Sequence, residues 1–206
     1  MIAKVISLVA LAGYLALIFI SLRQNGRRQV NQAFILYLVA MAFWQLAAVM
    51  VTFIVNPASA LLWYRLMTAG MGGQFIFYCL FVLVFVEAKH KRGISIAGWL
   101  LFFALLLSFH TNLIIKDVYL SPATHIYVPT FGTLVPLLGL TTFGYLSYGV
   151  FNLVRAYRQS KSLTQRNRIR YLLVGAAVIG LGAFSNLSSD VTSGSVQLRL
   201  RETREK

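Results

Sequence analysis

Acidic residues are scarce in this sequence, where Asp and Glu together number five and Lys and Arg number 19. None of the five lies deep in an apolar run, so the buried acidic relays that proton-coupled transporters usually need are missing. Paired catalytic carboxylates, an HExxH motif, a nucleophile with its base and a phosphate-binding glycine loop are missing too. We therefore expect a chain with no catalytic residues and no enzymatic activity of its own.

Cysteine and histidine are almost as rare. The single cysteine, Cys79, lies inside an apolar run, which excludes an intrachain disulfide and a cysteine-cluster metal site. The three histidines (His90, His110 and His125) do not have the spacing of a metal site. His110 is a candidate metal or haem ligand only by elimination. The sequence predicts neither a bound metal nor a cofactor.

Long apolar runs dominate what is present. Hydrophobic residues make up 58% of the chain and charged residues 12%, against about a quarter charged in soluble domains. A helix needs about 20 apolar residues to cross a hydrocarbon core about 30 Å thick, whereas a spanning barrel would show short alternating segments. The predicted fold class is all-α, a polytopic transmembrane helix bundle. Residues 1–187 form this bundle, residues 188–206 form a short polar and basic tail that we expect to be flexible, and the six spans lie at about 2–22, 32–55, 59–86, 94–115, 128–157 and 169–187.

The basic residues give the bundle a direction. Twelve of the 19 lie in the first, third and fifth loops: Arg23, Arg27, Arg28, Lys89, Lys91, Arg92, Arg155, Arg158, Lys161, Arg166, Arg168 and Arg170. The opposite side has Lys4, Arg65 and Lys116 before the tail. The positive-inside rule therefore places those three loops in the cytoplasm and the N-terminus outside. The net charge of +14 comes from basic residues that flank the apolar runs, where they would face anionic lipid headgroups. The expected partner is therefore the bilayer and not nucleic acid.

Small and polar residues stand out in the third span. Residues 69–74 (AGMGGQ) place four small residues together, with Ala69 and Gly73 in small-xxx-small spacing. This cluster indicates either tight helix packing or a hinge or ligand pocket, and packing is favoured. Gln45 and Gln74 are expected to form hydrogen bonds across the bundle as structural contacts rather than ligand contacts.

Four residues are candidates for signal reception or an interior polar site. Arg65 lies about two turns into the third span, where an ionisable group marks a functional site or reaches back to the headgroups as an anchor. Thr141, Tyr145, Tyr148 and Asn152 follow helical spacing on the fifth span, and such a stripe lines a cavity or packs in the core. The candidates are Arg65, Gln74, Tyr145 and Tyr148.

Three stretches carry a family resemblance. Residues 31–34 (NQAF) open the second span, which continues through 44–46 (WQL), and residues 62–66 (LWYRL) open the third. Residues 165–175 (QRNRIRYLLVG) lead into the sixth span and are the most specific of the three. Together with the N-out topology, they resemble the N-terminal seven-helix (7TM) sensor region of bacterial histidine kinases. The resemblance covers residues 1–187.

The resemblance implies a membrane-embedded sensor or input module in the bacterial inner membrane. Such a module senses a signal in the bundle or at its outer face and passes helix movement to a cytoplasmic output domain. A homodimer or a separate signalling kinase is the implied partner, and the ligand is not identified. The chain departs from the pattern after Asn186, where a seventh span is expected but a polar segment and the charged run 199–206 follow. We therefore expect a sensor truncated after its sixth helix.

Two other functions remain open. A small membrane transporter or permease subunit would be favoured by helices that break near the bilayer midplane, and the glycine cluster at 70–73 is its one hint. A membrane-embedded enzyme or cofactor carrier rests on His110 and the aromatic residues alone.

Overall fold

Helices account for most of the chain. The computed structural model describes residues 2–24, 27–54, 56–88, 91–122 and 127–177. The long helices are α1 (Ile2–Arg23), α2 (Gln29–Val51), α3 (Pro57–Phe85), α4 (Lys91–Leu107) and α5 (Val135–Gln159), and residues 163–177 are helical as well (α6). Strands β1 (Ile115–Leu120) and β2 (Tyr127–Phe131) form a hairpin between α4 and α5. The chain divides after Asn152 into two compact units.

Four of the described helices are long and apolar enough to cross a membrane: Val5–Arg23, Gln29–Val51, Pro57–Phe85 and Val135–Gln159. The first three overlap the spans predicted at 2–22, 32–55 and 59–86. Helix α4 has 17 residues, fewer than the ~20 that a perpendicular span needs. The predicted end of the sixth span at residue 187 and the tail at 188–206 lie outside the described residues.

Helix α3 is the packing centre of the first unit. Fifteen of its 29 residues are buried, whereas no residue in the apolar stretch of α1 is fully buried. Helix α2 contacts α3 through the Phe34–Phe81 ring pair, whose centroids are 5.2 Å apart. Helix α4 contacts it through Phe102, whose ring lies 4.9 Å from that of Phe77. Because lipid tails are as apolar as these side chains, close packing of this kind is what holds membrane helices together.

Local sequence explains both ends of α3. At its start, the Asn56 side chain accepts the Ala58 N–H (3.0 Å), and Pro57 occupies the first helical position, where no N–H is needed. At its end, the Ala88 N–H donates to the Leu83 carbonyl (3.0 Å) and the Glu87 N–H to the Val84 carbonyl (3.3 Å). These two bonds form a Schellman motif, in which Glu87 takes the left-handed position with φ 53°.

Glu87→Gly is expected to stabilise the fold. Glycine adopts φ > 0 without the steric cost of a Cβ atom, which is about 1–2 kcal/mol for other residues. Because glycine also loses more entropy on folding, we expect a net gain of roughly 0.5–1 kcal/mol. Thermal unfolding in detergent measures it. Glu87→Gln is the matched control, since it removes the charge and keeps the strained backbone. Equal effects of the two variants would contradict the strain explanation.

The fourth predicted span was too long. It was placed at 94–115, but α4 ends at Leu107 and a short 3-10 helix, Ser108–His110, follows. The Ser108 hydroxyl donates to the Leu105 carbonyl (2.6 Å) and the Thr111 hydroxyl to the Ser108 carbonyl (2.8 Å). Side chains that bond to nearby backbone in this way compete with helix continuation. The apolar residues that follow therefore enter the hairpin instead of extending the helix.

The fifth predicted span began too early, and the all-α prediction missed the hairpin. The span was placed at 128–157, but β2 occupies Tyr127–Phe131 and α5 begins at Val135. Pro136 lies in the first turn of α5, where its missing N–H costs nothing. Hydropathy alone does not separate an apolar strand from the end of an apolar helix. The structure is mostly helical, as predicted, with a two-stranded sheet added.

A bulge sets which side of the hairpin is buried. The strands pair antiparallel, with Val118 opposite Pro129, and Lys116 is the extra residue between the Ile115 and Asp117 pairs. Side chains on one face of a regular strand are two residues apart. The bulge shifts that alternation, so Ile115 and Val118, three residues apart, are both buried.

Candidate functional site

The hairpin is fixed to one end of α3 by two neighbouring side chains. The Tyr64 hydroxyl donates to the Tyr127 carbonyl (2.6 Å). Arg65 Nη2 donates to Asn112 Oδ1 (2.9 Å) and to the Ile115 carbonyl (3.2 Å). We call these five residues the hairpin clamp. It joins the central helix to both strands of the hairpin and to the turn before it.

The clamp is closely packed. Within the clamp, Tyr64 and Ile115 are buried and Arg65 is half-buried, and Val118 of the same strand is buried beside them. Beside Arg65, between α3, α4 and the start of β1, lies a cavity of about 10 Å³. That is about the room one water molecule needs. Among the described residues, this cavity is therefore too small for an organic ligand in this conformation, and a ligand there would have to move the hairpin.

The glycine cluster of α3 is a packing surface. A Cβ atom on Gly70 would lie 2.8 Å from the Trp44 Cα of α2. On Gly73 it would lie 2.8 Å from the Phe102 ring of α4. Helix α3 continues from Pro57 to Phe85 without a break, so the cluster is not a hinge of unwound backbone. These glycines allow α2 and α4 to approach α3 closely, as the packing interpretation predicted.

Gln74 lies deep in the bundle, one helical turn before Tyr78. Both are buried, at 7% and 5% exposure. Within the described part of the chain, neither Gln74 Oε1 nor the Tyr78 hydroxyl has a hydrogen-bond partner. The Tyr78 ring lies 5.7 Å from the Tyr37 ring of α2, and its Cε1 lies 3.3 Å from the position that a Cβ on Gly149 of α5 would take. Buried polar groups without partners are costly, so these two groups lower the stability of the helix packing around them.

The four residues of the polar stripe of α5 do not line one cavity. Tyr145 packs against the core, and its ring lies 3.5 Å from the position of a Cβ on Gly98 of α4. Tyr148 is exposed. The Thr141 hydroxyl donates to the Leu137 carbonyl (3.0 Å), and Asn152 Nδ2 donates to the Tyr148 carbonyl (2.8 Å). The polar groups of Thr141 and Asn152 therefore form hydrogen bonds within α5 itself.

The structure does not gather the four candidate residues around one cavity. Of Arg65, Gln74, Tyr145 and Tyr148, only Arg65 lines either of the two described cavities. His110 is exposed at the end of the 3-10 helix, while His90 and His125 lie outside the described residues. In the ranges that the structure describes, no three His, Cys, Asp or Glu side chains come together as metal ligands.

The basic residues named for topology lie at exposed or half-buried positions. Arg27 and Arg28 precede α2, and Lys91 and Arg92 open α4. In the second unit, Arg168 and Arg170 are exposed, and the Arg166 guanidinium lies 4.7 Å from the centroid of the Tyr157 ring. The hairpin clamp and the pair Lys91 and Arg92 lie at opposite ends of α3, because α4 starts where α3 stops.

The comparison with known families agrees with this architecture. The family model described as the N-terminal 7TM region of histidine kinase matches residues 5–197. The chain belongs to this family. Membership confirms the resemblance seen in the sequence and makes the chain a multi-pass membrane protein of signal transduction. The 7TM region is an input region, not a catalytic one. No curated protein and no solved structure matches the chain.

Sequence reasoning missed several residues of this 7TM sensor region. Tyr78 was not singled out, although its position four residues after Gln74 places both on one helix face. Tyr64 was noted only for the resemblance, and nothing in the sequence connects it with Tyr127, 63 residues away. Only the fold shows that they meet.

Proposed function

We propose that this chain is the membrane-embedded sensor of a bacterial signal-transduction system of the histidine kinase type, in the inner membrane and without catalytic activity of its own. The family supports the class of function. The hairpin clamp supports the mechanism, because the central helix holds the hairpin through Tyr64 and Arg65. A signal that displaces the hairpin acts directly on α3.

Helix α3 is then the element that carries the signal. It is continuous over 29 residues, about 43 Å at 1.5 Å per residue, which exceeds a hydrocarbon core of about 30 Å. A rigid helix of that length moves at its far end when its near end moves. Its Schellman end, at Glu87, leads into the Lys91 and Arg92 end of α4. A second copy of the chain or a separate kinase would bind at this end and respond to the movement of α3.

The orientation belongs to the same proposal: six spans, the N-terminus outside and the hairpin at the outer face. The basic pairs at residues 27–28 and 91–92 support it through the positive-inside rule. Single cysteines in a Cys79→Ala background test it. An impermeant maleimide is expected to label Lys116→Cys in intact cells and Arg28→Cys only after permeabilisation. The reverse pattern would contradict this orientation.

Response-regulator phosphorylation tests the function. We expect the phosphorylation of at least one response regulator to differ between a deletion strain and the same strain complemented with the chain.

The alternative function is a transporter or permease subunit. The glycine cluster at 70–73 favoured it, but the backbone of α3 is continuous there. An uptake defect for a small solute, with unchanged phosphorylation across conditions, would support the transporter and overturn the sensor.

A further inference from the structure

A second cavity lies between α3 and α4, at the opposite end of α3 from the hairpin clamp. Its volume is about 270 Å³, near the lower end of the ~300–1,000 Å³ of small-molecule sites. Leu80 and Leu83 of α3 form one wall, and Ile96 of α4 contributes to the other. Lys91, Arg92 and Ser95 line it as well. The cavity is therefore apolar along its length and basic at one end.

The apolar and the basic part of the cavity are separated along the axis of α3. Leu80 lies five residues before the end of α3, about 8 Å deeper than that end. Lys91 and Arg92 lie in the first turn of α4, where backbone N–H groups add positive potential. An anion fits beside these groups, and an alkyl chain fits against the leucines. Glu87, the acidic residue in the described part of this connection, is exposed and does not line the cavity.

We propose that this cavity binds one anionic phospholipid, with its phosphate at Lys91, Arg92 and Ser95 and the start of an acyl chain along Leu80, Leu83 and Ile96. The inference rests on the proposed orientation, which puts this end in the cytoplasmic leaflet, where basic pockets between helices bind anionic headgroups. A soluble phosphate compound would leave the apolar wall against water. The lipid covers both halves of the cavity and lies against the transmitting end of α3.

Native mass spectrometry of the detergent-purified chain tests the proposal with phosphatidylglycerol and phosphatidylethanolamine as probes. Each Lys or Arg near an anionic surface is worth about 1 kcal/mol, a factor of about five. We expect the first phosphatidylglycerol to bind roughly five- to thirtyfold more tightly than phosphatidylethanolamine. The double variant Lys91→Gln with Arg92→Gln is expected to lose that preference.

Arg27→Gln with Arg28→Gln is the matched control, because it removes two basic residues from another connection that does not line the cavity. It is expected to keep the preference for phosphatidylglycerol.

An equal loss of the preference in both double variants would show an effect of net charge alone and overturn the site. Displacement of the lipid by millimolar inorganic phosphate would show a phosphate site instead. A Ser95→Cys disulfide dimer, in a Cys79→Ala background, would show that a second copy fills the groove. Maleimide labelling tests the orientation and response-regulator phosphorylation tests the sensor function, each without measuring lipid binding. A failure of the lipid proposal is therefore distinguishable from a failure of the proposed function.

Discussion

Replacing Gly70 with alanine is expected to lower the free energy of unfolding by roughly 1–3 kcal/mol, the usual cost of overpacking a core. The new Cβ would lie 2.8 Å from Trp44 Cα and 2.9 Å from Trp44 N. Both are backbone atoms of α2, which cannot turn aside as a side chain can. The two helices must separate, and the contacts along their interface weaken together. Unfolding of the purified chain in mixed detergent micelles measures the loss.

Two glycines of the same chain serve as controls for Gly70. A Cβ on Gly144 of α5 would meet no atom within 4 Å. Gly144→Ala is therefore expected to be neutral or slightly stabilising, because alanine favours helix. At Gly72 the Cβ would meet the Leu105 Cδ1 at 2.6 Å, the end of a flexible side chain, so Gly72→Ala should fall between the two. Equal stability of Gly70→Ala and Gly144→Ala would contradict the close approach of α2.

Arg65→Ala is expected to open the hairpin. The change removes the hydrogen bonds to Asn112 (2.9 Å) and Ile115 (3.2 Å). Hydrogen bonds of charged groups contribute about 1.5–3 kcal/mol each when buried, but Arg65 is only half-buried and its bond to Asn112 is exposed. Discounting for solvent screening, we expect roughly 1–2 kcal/mol in total. Amide hydrogen exchange over residues 112–120 should therefore become about five- to thirtyfold faster.

Two variants define what Arg65 does. Arg65→Lys keeps the charge but lacks the guanidinium fork, so it is expected to restore only part of the protection. Lys116→Ala removes a cation from the bulge of the same hairpin, on a side chain that is exposed and outside the clamp, and is expected to leave exchange unchanged over the rest of the hairpin. If Lys116→Ala accelerates exchange as much as Arg65→Ala, the effect is one of charge and not of the clamp.

The sequence predicted the helices of this chain better than their ends. Helices α1, α2 and α3 are apolar on all sides, which is the pattern of a span. The fourth predicted span, 94–115, instead contains the end of α4, a 3-10 helix and the first residue of β1. The residues after the end of α4 are mostly polar, at 108 and 110–112, but so short a polar interruption does not show that a strand follows it. Hence the hairpin was missed.

For the candidate site too, the sequence identified some features and not others. Arg65 stood out because a charge inside an apolar run is costly. Its partners, Asn112 and Ile115, are 47 and 50 residues away in sequence, and no local pattern connects them. Gly70 stood out as a small residue in a cluster, whereas its partner Trp44 was noted only for the resemblance. Local chemistry therefore identified individual members, whereas their pairing depends on how the helices pack.

The distance between the two ends of neighbouring helices tests the transmitting role of α3 most directly. Spin labels at Arg28→Cys and Ala88→Cys, in a Cys79→Ala background, report the position of the α3 end relative to the start of α2. With Arg65→Ala added, we expect this distance to change by about 1–2 Å or more, the scale of helix shifts in switching proteins. With Lys116→Ala added, we expect it to stay the same. An unchanged distance in both variants, together with a hairpin that opens in Arg65→Ala, would show that α3 does not carry movement from the hairpin.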